Sequence, residues 1–143
     1  MGCTQNVGFQ LMMAANKYRR ALDAAVVKRT GITSAQGHAL DYIGKLSRER
    51  DVFQKDIEAA FDLRGSTVTG IIRLLEERGY LTRESVACDA RLKKICLTEK
   101  ARKKHEEIME VIAEQEAALQ ALFSEAEKAA LIQLLSRIAK SDI

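Results

Sequence analysis

Apolar positions recur at helical spacing over most of the chain. Leu11, Ala15, Tyr18, Leu22 and Val26 trace one face of a first helix. Gly31 closes it, because glycine takes the left-handed backbone that ends helices without a Cβ penalty. Thr33 to Gln36 (TSAQ) has the form of a capping box and opens a second helix that runs to about Ser47. A charged turn, SRERD, leads to a short helix from about Phe53 to Phe61, with Phe53, Ile57 and Ala60 or Phe61 inward. Asp62 and Leu63 make a turn into a fourth helix reaching about Arg78, where Gly79 stops it.

The pattern then changes. Segments 80–86 and 92–97 carry Thr, Val, Ile and Tyr around a polar centre, Ala87 to Arg91, and predict a β-hairpin. Thr98 caps a long fifth helix carrying Ile108, Val111, Ile112, Gln115, Leu119 and Leu122. A second capping box, SEAE at 124–127, starts a last helix with Leu131, Leu134, Leu135 and Ile138 inward. The expected fold is mainly α with a small β-hairpin wing. Its parts are an N-terminal dimerisation helix (1–32), a winged helix-turn-helix lobe (33–97) and C-terminal dimerisation helices (98–143). The first, fifth and sixth helices hold more apolar residues than one small lobe needs, so a core shared between two copies accounts for them better than a monomeric helical cap.

Composition narrows the picture. The 143 residues include no proline, which suits uninterrupted helices, and aromatic residues are so few that the core must be aliphatic. A net charge of +3 permits a polyanionic partner without requiring one. No apolar run approaches the ~20 residues that span a bilayer, and no hydrophobic leader precedes a cleavage-like site. Three cysteines in no ligand-like spacing fit a reducing compartment, so a soluble cytoplasmic protein is expected. The chain has no Gly-rich phosphate loop, nucleophile elbow or metal quartet, so no catalytic residue, metal or cofactor is expected.

The fourth helix carries the candidate chemistry. Val68, Ile71, Ile72 and Leu75 gather on one side, and Ser66, Gly70, Arg73 and Glu77 lie opposite, flanked by Thr67 and Thr69. A glycine in an exposed helix interior costs about 0.5–1 kcal/mol relative to alanine. One use for it is to let another surface come very close. Hydroxyls and a guanidinium around such a gap match what phosphates and base edges accept. A plain surface helix with a tolerated glycine shows the same local pattern. Context favours the first reading: a short helix precedes across a tight turn, and the hairpin that follows holds Arg91, Lys93 and Lys94.

Sequence STVTGIIRLLEERGYLTRE, followed by DARLKKICLTEKA, resembles the MarR family of bacterial transcriptional regulators. The matching features are the Ser/Thr-rich recognition helix, the exit Leu75, Glu76, Gly79 and Leu81, the wing pair Asp89 and Arg91, and Leu97–Thr98 before the next helix. ITSAQ at 32–36 resembles the start of the family's second helix. The resemblance implies a homodimer with interlocked terminal helices, whose two winged lobes straddle a pseudo-palindromic operator on double-stranded DNA. It also implies repression relaxed by a small-molecule effector or an oxidant. Carried across, it puts Ser66, Thr67, Thr69, Gly70 and Arg73 at the major groove and Arg64 at its entrance. Arg91 falls in the minor groove, and Lys93 and Lys94 near phosphates. Asp89 either orients Arg91 by a salt bridge or serves the wing-tip turn.

The resemblance further implies an effector cleft between the dimer helices and the lobe, which Met12, Met13, Tyr18, His38 and Tyr42 would line or else serve as plain core. Cys3, Cys88 and Cys96 leave a cysteine-based redox repressor as an alternative. His38 with His105, Glu106 and Glu107 lacks the paired histidines a zinc site needs. A winged-helix protein-interaction module is the other rival, although it would not need a basic wing or a hydroxyl-rich helix face.

Overall fold

Side-chain caps set the helix boundaries. A computed structural model describes residues 5–61 and 64–143, so Cys3 and the turn expected at Asp62 and Leu63 lie outside the described residues. Helix α1 (Val7–Thr30) starts where the Asn6 side chain accepts the Phe9 N–H, and ends at Gly31, whose φ of 72° is left-handed. Helix α2 (Ser34–Ser47) opens on the reciprocal Thr33–Gln36 capping box. Helices α3 (Gln54–Phe61) and α4 (Gly65–Glu77) follow. Gly79, at φ 80°, closes α4 with its own N–H on Glu76 and the Tyr80 N–H reaching back to the Leu75 carbonyl.

Strands β1 (Leu81–Val86) and β2 (Asp89–Leu97) pair antiparallel from Leu81↔Leu97 to Ser85↔Lys93. The register then jumps to Val86↔Asp89, so β2 begins at Asp89 rather than at 92 and the wing carries an irregular bulge near its tip. Helix α5 (Glu99–Gln120) starts on the Thr98 hydroxyl, and α6 (Glu125–Ala139) on the Ser124–Glu127 capping box. These six helices and two strands among the described residues are the mainly α, winged architecture expected from sequence.

The core lies inside the lobe. Ile32, Ile43, Val52, Ile57, Val68, Ile72, Leu75, Leu81 and Ile95 are essentially sealed from solvent, with Leu40 and Tyr80 beside them. At about 1.5–3 kcal/mol for each large aliphatic side chain buried, this cluster dominates the lobe's stability. Val52 enters it through an isolated bridge in which the Ile95 N–H donates to the Val52 carbonyl at 2.8 Å. Periodicity gives no sign of that one-residue pairing. Ala101, Ile108 and Val111 of α5 and Val26 of α1 close the lobe's other side.

Away from the lobe, burial fails. Helix α6 has no buried residue, and the Leu131, Leu134, Leu135 and Ile138 stripe expected inward is 37–50% exposed. Leu122 is exposed, Leu119 is half-buried, and on α1 Leu11 and Tyr18 are half-buried while Ala15 is open. The stripes exist at the expected spacing, but a single chain offers them nothing to pack on. In the lobe, Ala60 is likewise exposed, with Phe53 and Phe61 half-buried. Arg29 and Glu114 tie α1 to α5 by a bidentate pair, both partners half in solvent and so of small energetic weight. Among the described residues no helix is long and apolar enough to cross a membrane.

Candidate nucleic-acid interface

Helix α4 separates its two faces sharply. Val68, Ile72 and Leu75 are wholly buried against the lobe, while Ser66, Thr67, Gly70, Arg73 and Glu77 are exposed. A Cβ built on Gly70 would meet nothing within 4 Å, so packing inside the subunit does not require glycine there. Arg64 precedes the helix as its N-cap residue, exposed and making no side-chain cap bond. Among the described residues, no hydrogen bond or ion pair engages the side chains of Arg64, Ser66, Thr67, Arg73 or Arg91.

Thr69 is different from its neighbours. It is half-buried on the α3 side, where its hydroxyl donates to the Gly65 carbonyl at 2.8 Å and accepts from Gln54 Nε2 at 2.8 Å. The same Gln54 nitrogen donates to Glu58 Oε1 at 3.0 Å. Gly65 allows this closeness, since a Cβ there would stand 3.1 Å from Glu58 Oε1. Sequence reasoning puts Thr69 with the groove-facing residues and misses the Gln54 bridge. The only signal for it is an amide at the start of α3, which a wheel of α4 alone cannot use.

The wing is held at a set angle to this helix. Arg83 of β1 makes a bidentate ion pair with Glu76 of α4 at 3.0 Å, and the hydrogen bond from that guanidinium holds the Glu76 carboxyl below its usual range. Their seven-residue separation hides the pair until the Gly79 turn folds the strand back. At the tip, Asp89 Oδ1 accepts the Arg91 backbone N–H at 2.9 Å, so the carboxylate builds the turn rather than forming the salt bridge considered from sequence. The Arg91 guanidinium is thereby left exposed and, among the described residues, unpaired. Lys93 donates across the hairpin to the Ser85 hydroxyl at 2.6 Å. Lys94 follows the strand's alternation to the face opposite Lys93, half-buried and 3.7 Å from Asp51. Between the start of α3 and the wing lies a depression of about 240 Å³ where Lys55, Arg83, Arg91 and Lys93 converge.

A larger cleft of about 990 Å³ opens between α1, α2, α5 and β2. Of the five residues expected at an effector site, only His38 lines it. Met12 and Met13 are exposed on α1, and Tyr18 donates to Glu116 of α5 at 3.5 Å. Tyr42 packs edge-on against Phe61 with ring centroids 5.6 Å apart. The five share a chemical type, but their helix faces diverge. Across the cleft, His105 Nε2 lies 3.4 Å from Asp41, whose carboxyl is held low first by Lys45 and also by His105. No group of three or more metal-ligating side chains gathers among the described residues. Cys88 is exposed in the wing turn, whereas burial first, and Glu84 next, push the Cys96 thiol up, the opposite of a reactive thiolate.

The sequence model of the MarR family matches residues 30–92, from the end of α1 into β2. Among solved structures, the chain is similar to MepR of Staphylococcus aureus, described as a transcription regulator of the multidrug efflux pump MepA. The two are 28% identical with a TM-score of 0.82, over 93% of this chain and 98% of that one. It is similar also to a mutant MepR of the same organism bound to an oligodeoxyribonucleotide, at 29% identity and a TM-score of 0.74, again over 93% and 98% of the two chains. YusO of Bacillus subtilis, 19% identical over 99% of both chains, shares the fold with a TM-score of 0.82. No curated protein matches the sequence.

Proposed function

The chain belongs to the MarR family of winged-helix DNA-binding transcriptional regulators, and on that premise we propose that it is a repressor, a homodimer on a pseudo-palindromic operator that a small molecule releases. Transcription regulation, not catalysis, is the family's activity. Ser66, Thr67, Gly70 and Arg73, with Thr69 at their edge, lie in the major groove, and Arg64 meets a phosphate where the helix begins. Arg91 enters the adjacent minor groove, where a free guanidinium reads width and negative potential, and Lys93 stays at the backbone. Lys94, paired with Asp51, takes no part.

The observation that carries this reading is the open face of α4, with hydroxyls and an unpaired guanidinium around a glycine that its own subunit leaves uncovered. Dimerisation has separate support. A 15-residue helix with nothing buried is marginal by itself, and the apolar stripe of α6 needs a second copy to cover it. The cleft beside His38 adjoins both the lobe and the helices assigned to the dimer, so a ligand there shifts the spacing of the two lobes according to its preference for one arrangement.

Selection of binding sites from random duplex DNA, followed by thermal-shift screening with phenolic compounds, zinc and peroxide, tests the proposal. A two-fold symmetric site and one stabilising compound that lowers operator affinity are expected. Binding that is indifferent to loss of Arg73 and Arg91 would return the protein-interaction reading.

A further inference from the structure

The hydrogen bonds around Thr69 fix what this residue offers to a base edge. Glu58 Oε1 lies 3.0 Å from one terminal atom of the Gln54 amide. A carboxylate only accepts, so that atom is the NH2 group, and the amide orientation follows from chemistry. The same nitrogen is 2.8 Å from Thr69 Oγ1, so the Thr69 oxygen is an acceptor there and its proton points elsewhere. The Gly65 carbonyl, 2.8 Å away and also acceptor-only, takes that proton. A hydroxyl has one proton and two lone pairs. Its proton and one lone pair are therefore committed inside the subunit, and only a methyl group and a single acceptor remain.

We infer that Thr69 is a donor-free reader, held so by Gln54 as its positioning residue, which disfavours guanine on the contacted strand and favours thymine or an exocyclic amino group. The inference rests on the reading that α4 occupies the major groove. There guanine presents two acceptors, N7 and O6, which need donors, whereas adenine N6 and cytosine N4 donate and thymine carries the C5 methyl. Whatever part of Thr69 the groove meets, it meets no donor. Gly70 next to it has no side chain to hold the duplex away or supply the missing proton. Gln54 itself contacts no base in this account. Its two N–H groups are spent on Glu58 and Thr69, and the bridge ties the first turn of α3 to the first turns of α4.

The test is a scan of all single base-pair changes across one half-site of the selected operator, by competition binding, for the full-length wild type and the variants Thr69→Val, Thr69→Ser and Gln54→Met. In the wild type, one base pair per half-site loses about fivefold or more when guanine occupies the contacted strand. Thr69→Ser keeps the bridge, so the guanine penalty stays and the preference for thymine goes. Thr69→Val keeps the methyl and loses preference for an amino donor at that pair. Gln54→Met frees the hydroxyl to turn, so the guanine penalty there shrinks at least about threefold with the remaining profile unchanged. A merely structural Gln54 would lower affinity evenly over all sequences. If Gln54→Met does not fold, the two Thr69 variants still decide. Wild-type preference for guanine at the pair that responds to Thr69, or identical profiles for all four proteins, overturns the inference alone. Failure of the wild type to select any site overturns the groove reading and this inference with it.

Discussion

The lobe and helix α6 use the same aliphatic alphabet with opposite outcomes. In the lobe, Ile72, Leu75 and Ile95 from three elements meet in one sealed cluster. In α6, Leu131, Leu134, Leu135 and Ile138 form an equally regular stripe, none of it buried in the single chain. A periodic pattern therefore specifies the face and leaves the partner open. The lobe finds its partner within the chain, whereas α6 finds none there and, in the proposed homodimer, packs on a second copy. Under the proposed function, operator recognition needs two lobes at a fixed spacing and so depends on the part that is incomplete alone.

The largest effect should come from breaking the incomplete side. Leu134→Asp with Leu135→Asp places two charges in the proposed shared core. Sedimentation should show monomers, and operator affinity should fall by about a hundredfold or more, because the second lobe no longer binds as part of the same molecule. The wild-type melting temperature should rise with protein concentration, as linkage to dimerisation requires, and that dependence should vanish in the double variant. Next comes the self-sufficient side. Leu75→Ala removes a fully buried side chain and should cost about 2–5 kcal/mol in denaturant unfolding, with unchanged dimer dissociation.

A smaller effect belongs to the surface where the regions cooperate. Arg91→Ala removes an exposed guanidinium whose backbone N–H is already bound by Asp89. It should weaken operator binding by about tenfold and leave the melting temperature within about a degree. The smallest effect is electrostatic. Asp56 accepts from Arg50 and from the Phe53 N–H, and the Arg50 hydrogen bond holds its carboxyl below the ordinary value of 3.8. The folded-state pKa is depressed, so its stabilisation is present above that ordinary value and is lost as pH falls through the lower folded one. Asp56→Asn should lose about 0.2–1 kcal/mol near neutral pH, as expected for an ion pair open to solvent screening. It should also flatten the acid limb of the stability curve measured by denaturant titration.

Local chemistry makes most of this fold legible in the sequence. Thr33, Thr98 and Ser124 at helix starts and Gly31 and Gly79 at helix ends sit where the caps are. Spacing of Val68, Ile72 and Leu75 also marks the buried side of α4 correctly. What stays hidden depends on contacts between distant residues. The Val52–Ile95 bridge, the Gln54–Thr69 tie and the Glu76–Arg83 pair join elements whose approach no local pattern encodes. Asp89 is ambiguous in sequence because one carboxylate serves either a guanidinium or a turn, and only the bulged wing geometry decides. Residue type alone places the expected effector residues least well. Met12, Met13, Tyr18 and Tyr42 suit an apolar pocket, yet the large cleft is lined by His38 and by other faces of α1 and α2.

The central claim is that the outward side chains of α4 read bases in the major groove, while the wing sets Arg91 in the minor groove and Lys93 at the backbone. The most direct test is the ratio of affinities for the selected operator and a scrambled duplex, over a range of salt, for the wild type and Arg73→Ala. The account predicts that the ratio falls at least about tenfold in the variant, while binding to the scrambled duplex changes little and its salt dependence drops by about one phosphate contact or less. An unchanged ratio, with both duplexes weakened equally, would contradict it.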